Sequence, residues 1–196
     1  MHRYIIFYKP YQVLCQFSPE GDKKTLAHFF PELPKNIYPV GRLDFDSEGM
    51  LLLTDDKQLT HQLLEPKFAH PRTYLVQVEG SITAEAIAQL QKGVNISVNG
   101  KQYRTRPAVA EIISQIPEVP ERNPPIRYRK EIPTSWISLT LTEGKNRQVR
   151  KMTAAVNFPT LRLIRYAIGS CQIEGVLPGQ YKEHDWRIKQ QLMGRP

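Results

Sequence analysis

Hydrophobic and polar positions run along this chain with two periods, and the changes of period mark out its elements. Arg3 to Tyr8 concentrates Ile, Phe and Tyr and stops at Lys9-Pro10, which predicts an early strand. Val13 to Phe17 resumes the apolar character before Ser18-Pro19-Glu20-Gly21-Asp22, so the two segments predict a hairpin. Leu26 to Phe30 predicts a short helix stopped by Pro31 and Pro34. Met50 to Leu53 is continuously apolar between Gly49 and Thr54-Asp55-Asp56, the pattern of a buried strand leaving a loop. Asp56 then caps a helix with Leu59, Leu63 and Leu64 on one side, ending before Pro66.

Further on, Arg72 to Gly80 reads as a strand with Tyr74, Val76 and Val78 on one face. Thr83 caps a helix through Gln91, with Ala86, Ile87 and Leu90 facing inward and Gly93 as its stop. Val94, Ile96 and Val98 alternate up to Asn99-Gly100, a hairpin turn, and the chain returns through Tyr103 toward Val109 and Ile112. Ser135 to Thr142 alternates as a half-buried strand carrying Ile137, Leu139 and Leu141. Asn146 to Val156 has helical period: Val149, Met152 and Val156 on one side, Arg147, Arg150 and Lys151 on the other. Leu161, Leu163 and Arg165 alternate with Arg162 and Ile164 on a further strand, and the polar segment from Asp185 is expected to fray.

Strands and helices alternate without a Gly-rich phosphate loop, and the 94 to 109 hairpin requires antiparallel pairing. A nucleotide-binding doubly wound sheet is thereby disfavoured, and the class expected is α+β. With 196 residues the chain can build one large domain or two small ones sharing a cleft. Three apolar residues together before Lys9 are too few for a secretory signal, so a cytoplasmic location is the default. Cys15 and Cys171 stand far apart and near no His/Cys cluster, which indicates buried thiols rather than zinc or a disulfide framework.

The net charge of +8 gains meaning from its location. Residues 122 to 165 hold ten Lys and Arg against two Asp and Glu, so this block carries the whole excess and the rest of the chain is balanced. A concentrated excess points to a polyanionic partner. Nucleic acid and an anionic membrane surface are the two classes, and the block lacks the long amphipathic helix that a membrane surface wants. Five prolines between residues 117 and 133 predict a long loop made cationic by Arg122, Arg127, Arg129 and Lys130, either a clamp beside a cleft or a surface excursion.

The stretch Gly41-Arg42-Leu43-Asp44-Phe45-Asp46-Ser47-Glu48-Gly49 runs straight into the buried Met50-Leu51-Leu52-Leu53. Asp, Ser and Gly serve ordinary turn chemistry, yet an anchored loop beside an obligate cation, Arg42, also presents an ionised carboxylate well. Both readings of Asp44 stand on the residues alone. The run through Thr54 resembles the signature of the pseudouridine synthases that modify ribosomal RNA, and two further stretches follow in the same order. These are Arg72-Thr73-Tyr74 and Glu143-Gly144 through Gln148-Val149-Arg150-Lys151-Met152. The opening is also similar, although Tyr8 stands where that family usually has Asn. Residues 122 to 127 and 132 to 136 resemble the subgroup that acts on large-subunit ribosomal RNA.

The resemblance implies a mixed, mainly antiparallel sheet with flanking helices and a central RNA-binding cleft. It implies a catalytic domain over 1 to 184, two subdomains about that cleft, and a polar tail over 185 to 196. The catalytic pattern begins within the first few residues, so the accessory RNA-binding domain that many relatives carry ahead of it is expected to be absent. By the same resemblance Asp44 is the catalytic carboxylate, Tyr74 lies against the target base, and Arg150 is the basic partner of Asp44. The implied reaction, uridine to pseudouridine, needs no cofactor or metal and acts on a base flipped out of its stack. Arg42, Arg122, Arg127, Arg129, Lys130, Lys145, Arg147, Lys151, Arg162 and Arg165 are the candidate RNA contacts. The expected partner is a stem-loop region of large-subunit ribosomal RNA met by a monomer, with no membrane. Another RNA such as tRNA, or a non-catalytic RNA-binding or ribosome-assembly role, are the alternatives.

Overall fold

A computed structural model describes residues 2–115, 118–126 and 131–194. In chain order its elements begin β1 (Tyr4–Lys9), β2 (Val13–Leu14), β3 (Lys24–Thr25), a 3-10 turn at Leu26–His28, β4 (Tyr38–Pro39), β5 (Glu48–Thr54) and α1 (Lys57–Leu64). There follow β6 (Arg72–Glu79), α2 (Ala84–Lys92), β7 (Asn95–Val98), β8 (Lys101–Arg104), β9 (Val109–Ile113) and β10 (Thr134–Leu141). The last are α3 (Gln148–Ala155), β11 (Thr160–Ile168), β12 (Cys171–Gln172), β13 (Tyr181–His184) and α4 (Ile188–Met193). They form two compact units, Met1–His70 with Ile164–Pro196, and Pro71–Leu163.

In the first unit β1 and β5 are buried along their whole length, as their unbroken apolar sequences require. β5 pairs antiparallel with β1 and β4 and parallel with β11, while β1 pairs antiparallel with β13. Ile5, Phe7, Leu51 and Leu53 share one face, covered by Leu26, Phe30, Ile37 and Leu43. The expected hairpin of β1 with Val13–Leu14 does not form. β5 and β13 occupy both edges of β1, and Val13–Leu14 instead pairs parallel with β3.

Asp56 caps α1, accepting from the Leu59 N–H at 2.9 Å, and Leu59 and Leu63 are buried. Leu64, expected on the same side, is exposed, one position beyond the apolar stripe. The segment read as a fraying tail holds α4, docked by Ile188 and Leu192 and by the Ser170 N–H donating to the Gln191 carbonyl at 2.9 Å. Lys189 adds an ion pair to Asp56 at 2.9 Å. Two apolar residues four apart were enough to anchor a short polar helix.

In the second unit β10 lies between β6 and β9, antiparallel to both, and β7 and β8 form the hairpin at Asn99-Gly100. Ile87 and Leu90 of α2 and Val149 and Met152 of α3 pack with Val76, Val78, Ile137 and Leu139 in one apolar cluster. Parallel and antiparallel pairs with helices against them make the fold α+β, with a mixed, mainly antiparallel sheet.

Candidate active site

The Asp44 turn is built from both of its ends. Leu43 is buried in the first unit's core, and its N–H donates to Cys15 Sγ at 3.2 Å. Downstream, the Ser47 N–H closes onto the Asp44 carbonyl at 3.0 Å, and the chain then enters β5. From the side, the Gln12 N–H reaches the Phe45 carbonyl at 2.8 Å. An apolar anchor before, a buried strand after and a cross-link between leave Asp44 half-buried on a turn with little freedom, while Arg42 is exposed. The continuous run Met50–Leu53 that marked the strand in the sequence is what fixes it.

Lys9 is the residue of this region that sequence reading missed. Lys9 ends β1, as expected, and its side chain is fully buried, with Nζ donating to the carbonyls of Pro10 at 2.8 Å and Val13 at 2.9 Å. Burial pushes its pKa down to about 8, against the opposing pull of Cys15, Glu48, Asp46 and Asp44. The available signal was parity. Lys9 follows Ile5 and Phe7 at spacing two and so faces the same way.

In the second unit Tyr74 stands opposite Leu139 on β6, half-buried against the core. The third stretch divides into structural and chemical parts. Glu143 is buried and accepts from the Arg106 N–H at 2.8 Å, from Gln148 Nε2 at 2.6 Å and from the Tyr103 hydroxyl. That last bond, with burial, raises the pKa of Tyr103. Gln148 Oε1 in turn accepts from the Lys145 N–H at 2.9 Å. Glu143 and Gln148 therefore tie the turn that launches α3, and Arg147 enters it with φ of 51°. Arg150 is half-buried on that helix rather than on an open polar face, and the Thr153 hydroxyl donates to its carbonyl.

Among the remaining basic candidates, Lys145 and Arg147 are exposed, Lys145 with Nζ 4.8 Å from the Tyr103 ring centroid, and Lys151 donates to Asn146 Oδ1 at 3.5 Å. Arg122 folds back on its own loop, donating to the carbonyls of Pro124 and Pro125. Arg162 and Arg165 are buried, donating to the carbonyls of Pro120 and Met50 respectively, so neither lies on an open surface. Arg127, Arg129 and Lys130 fall outside the described residues. A surface cavity of about 410 Å³ lined by Tyr38, Asp55, His61, Leu64 and Glu65 contains none of these residues.

Residues 3–155 match the sequence profile of "RNA pseudouridylate synthase". The chain belongs to this family. Pseudouridylate synthases are isomerases, and the matched span takes in the Asp44 turn, Tyr74 and Arg150. A relative from Vibrio vulnificus, "Ribosomal large subunit pseudouridine synthase E", is 49% identical over 179 residues, 91% of this chain and 74% of its own. The protein of the same name from Xanthomonas axonopodis pv. citri is 47% identical over 176 residues, 89% of this chain and 90% of its own. A crystal structure described as that of a pseudouridylate synthase is 28% identical and superposes with a TM-score of 0.79, covering 98% of this chain and 74% of that one.

Proposed function

We propose that the protein converts a uridine of large-subunit ribosomal RNA to pseudouridine, with Asp44 as the catalytic carboxylate. The observation that carries the choice of RNA is the similarity, across nine-tenths of this chain, to relatives named for the large ribosomal subunit. In the reaction the bond from ribose C1′ to uracil N1 breaks, the base turns, and C1′ rejoins through C5. The proton leaves C5 and N1 gains one, so nothing is added or removed overall. Asp44 acts at the sugar while the base departs, which requires an ionised carboxylate held still, and the anchored turn supports that role.

Arg150 is proposed as the cation that favours the charged form of Asp44 during the step. Tyr74 stacks on the flipped uridine. Extracting that base costs a few kcal/mol, and stacking on an aromatic ring returns about 1–3 kcal/mol of it. The exposed Arg42, Lys145 and Arg147 contact the strand's phosphates, together with the basic residues of the proline-rich loop. The experiment is incubation with unmodified ribosomal RNA followed by chemical mapping of pseudouridine. One new site in large-subunit RNA supports the proposal. Modification of tRNA alone, or binding without product, contradicts it.

A further inference from the structure

The β7–β8 hairpin and its exit carry positive charge of their own, outside the basic block of residues 122 to 165. From Gly93 to Ala110 the chain has Lys101, Arg104 and Arg106 and no Asp or Glu. Arg106 is exposed, yet its main chain is fixed on both sides. Thr105 before it is buried, its N–H donating to the Val94 carbonyl and its Oγ1 accepting from the Val94 N–H, each at 2.9 Å. Pro107 follows with its restricted φ. The Arg106 N–H itself donates to Glu143 at 2.8 Å.

Glu143 joins this segment to the turn before α3. The Tyr103 hydroxyl and Gln148 Nε2 donate to the same buried carboxylate, and Lys145, two residues on, sets its ammonium 4.8 Å from the Tyr103 ring centroid. Two cations from separate elements are thus anchored at one carboxylate and one ring. Three hydrogen bonds satisfy Glu143 internally, while the side chains of Arg106 and Lys145 are exposed to solvent. Like charges presented together at a surface concentrate an anion there.

Their place in the second unit suits an anion of the substrate. A Cβ on Gly144 would lie 3.9 Å from Arg72 Nη1, so the turn stands beside the first residue of β6. Tyr74 is two residues along that strand on the same face, about 7 Å away. A phosphodiester next to a nucleotide whose base meets Tyr74 falls within that reach.

We propose that Arg106 and Lys145, held by Tyr103 and Glu143, form a phosphate-binding site for the RNA strand beside the nucleotide that is isomerised. This rests on the reading of Lys145 as a phosphate contact and of Tyr74 as the stacking partner, and it adds Arg106 to them. Such a site sets the position of the strand and reads no base.

The test measures the affinity of the full chain for unmodified large-subunit ribosomal RNA against salt, with a thermal melt of each variant. Arg106→Gln and Lys145→Gln remove charge from exposed side chains and leave the main-chain hydrogen bonds of both residues in place. Each should lower the slope of log affinity against log salt by about 0.7 and weaken binding at low salt roughly tenfold. The double variant should lose less than the product of the single losses, because one phosphate is shared. Arg106→Lys keeps a charge and should keep the slope. Lys57→Gln removes the same charge beyond the end of β5 remote from the Asp44 turn, and should also keep it. A wild-type slope in Arg106→Gln, an equal drop in Arg106→Lys or Lys57→Gln, or single losses that multiply in full overturns the site. Pseudouridine is mapped in parallel. Wild type that forms none overturns the proposed activity and leaves the slopes to decide the site, whereas normal product with an unmoved Arg106→Gln slope overturns the site alone.

Discussion

Gly49 and Arg165 lie so close that a Cβ on Gly49 would stand 2.4 Å from the Arg165 carbonyl oxygen and 2.7 Å from its nitrogen. Both obstacles are backbone atoms of a paired strand, and neither can turn aside. Gly49 also has φ of +104°, outside the range that residues with a side chain adopt at low cost. Gly49→Ala should therefore cost at least about 2 kcal/mol from strain and overpacking together. A lowered urea midpoint with an unchanged slope is the expected reading. An unaltered midpoint would mean that β5 and β11 separate freely, against the register described.

Asp56 ties α1 and α4 to the first unit. Burial alone would push its carboxyl up, but hydrogen bonds from the Leu59 N–H, Lys189 Nζ and the Tyr4 hydroxyl outweigh it and bring the pKa down to about 2. A carboxyl depressed in the folded state contributes stability above its unfolded pKa, and loses it as pH falls through the folded value. Here that contribution is about 2 kcal/mol, lost between about pH 4 and pH 2. Asp56→Asn should be less stable than wild type by roughly that amount at pH 7 and converge on it near pH 2, as read by denaturant titrations at each pH.

Arg150 is expected to act on the reaction more than on affinity. Arg150→Ala should slow the single-turnover rate on the order of 100-fold while changing RNA affinity little. A large loss of affinity with an unchanged single-turnover rate would reassign Arg150 to a phosphate.

What could be read from the sequence was whatever rests on local period and turn chemistry. The apolar run of β5, the alternation of β6 and β10, the Asn99-Gly100 hairpin and the caps at Asp56 and Thr83 all follow from neighbours in the chain. The hairpin expected at β1 does not form because the consecutive strands β1 and β2 do not pair. Only the return of β5 and β13, some 40 and 170 residues later, decides who takes the edges of β1. Glu143 and Gln148 could be recognised as parts of a pattern, but not as the ties of a turn, because Tyr103 and Arg106 reach Glu143 from some 40 residues earlier in the chain. Lys9 and Arg165 were obscured by residue type. Charge argues for the surface, yet both are buried, on strands that pair with β5 at Gly49 from opposite sides.

The basic excess between residues 122 and 165 should act through phosphates rather than bases. Each phosphate neutralised in single-stranded RNA adds roughly 0.7 to the slope of log affinity against log salt. Replacing Arg127 and Arg129 together by Ala should flatten that slope by about one unit or more and weaken all RNAs alike, with little effect on the rate from bound substrate. A slope equal to that of wild type would remove Arg127 and Arg129 from the phosphate contacts and leave these to Arg42, Lys145 and Arg147.

The central claim is that one carboxylate, Asp44, carries the isomerisation. It is tested most directly by mapping pseudouridine in unmodified large-subunit ribosomal RNA after incubation with wild type, Asp44→Asn and Asp46→Asn, with RNA binding measured in parallel. The account predicts one modified uridine with wild type and with Asp46→Asn, and none with Asp44→Asn despite retained binding. Pseudouridine formed by Asp44→Asn, or activity lost equally in Asp46→Asn, would contradict it.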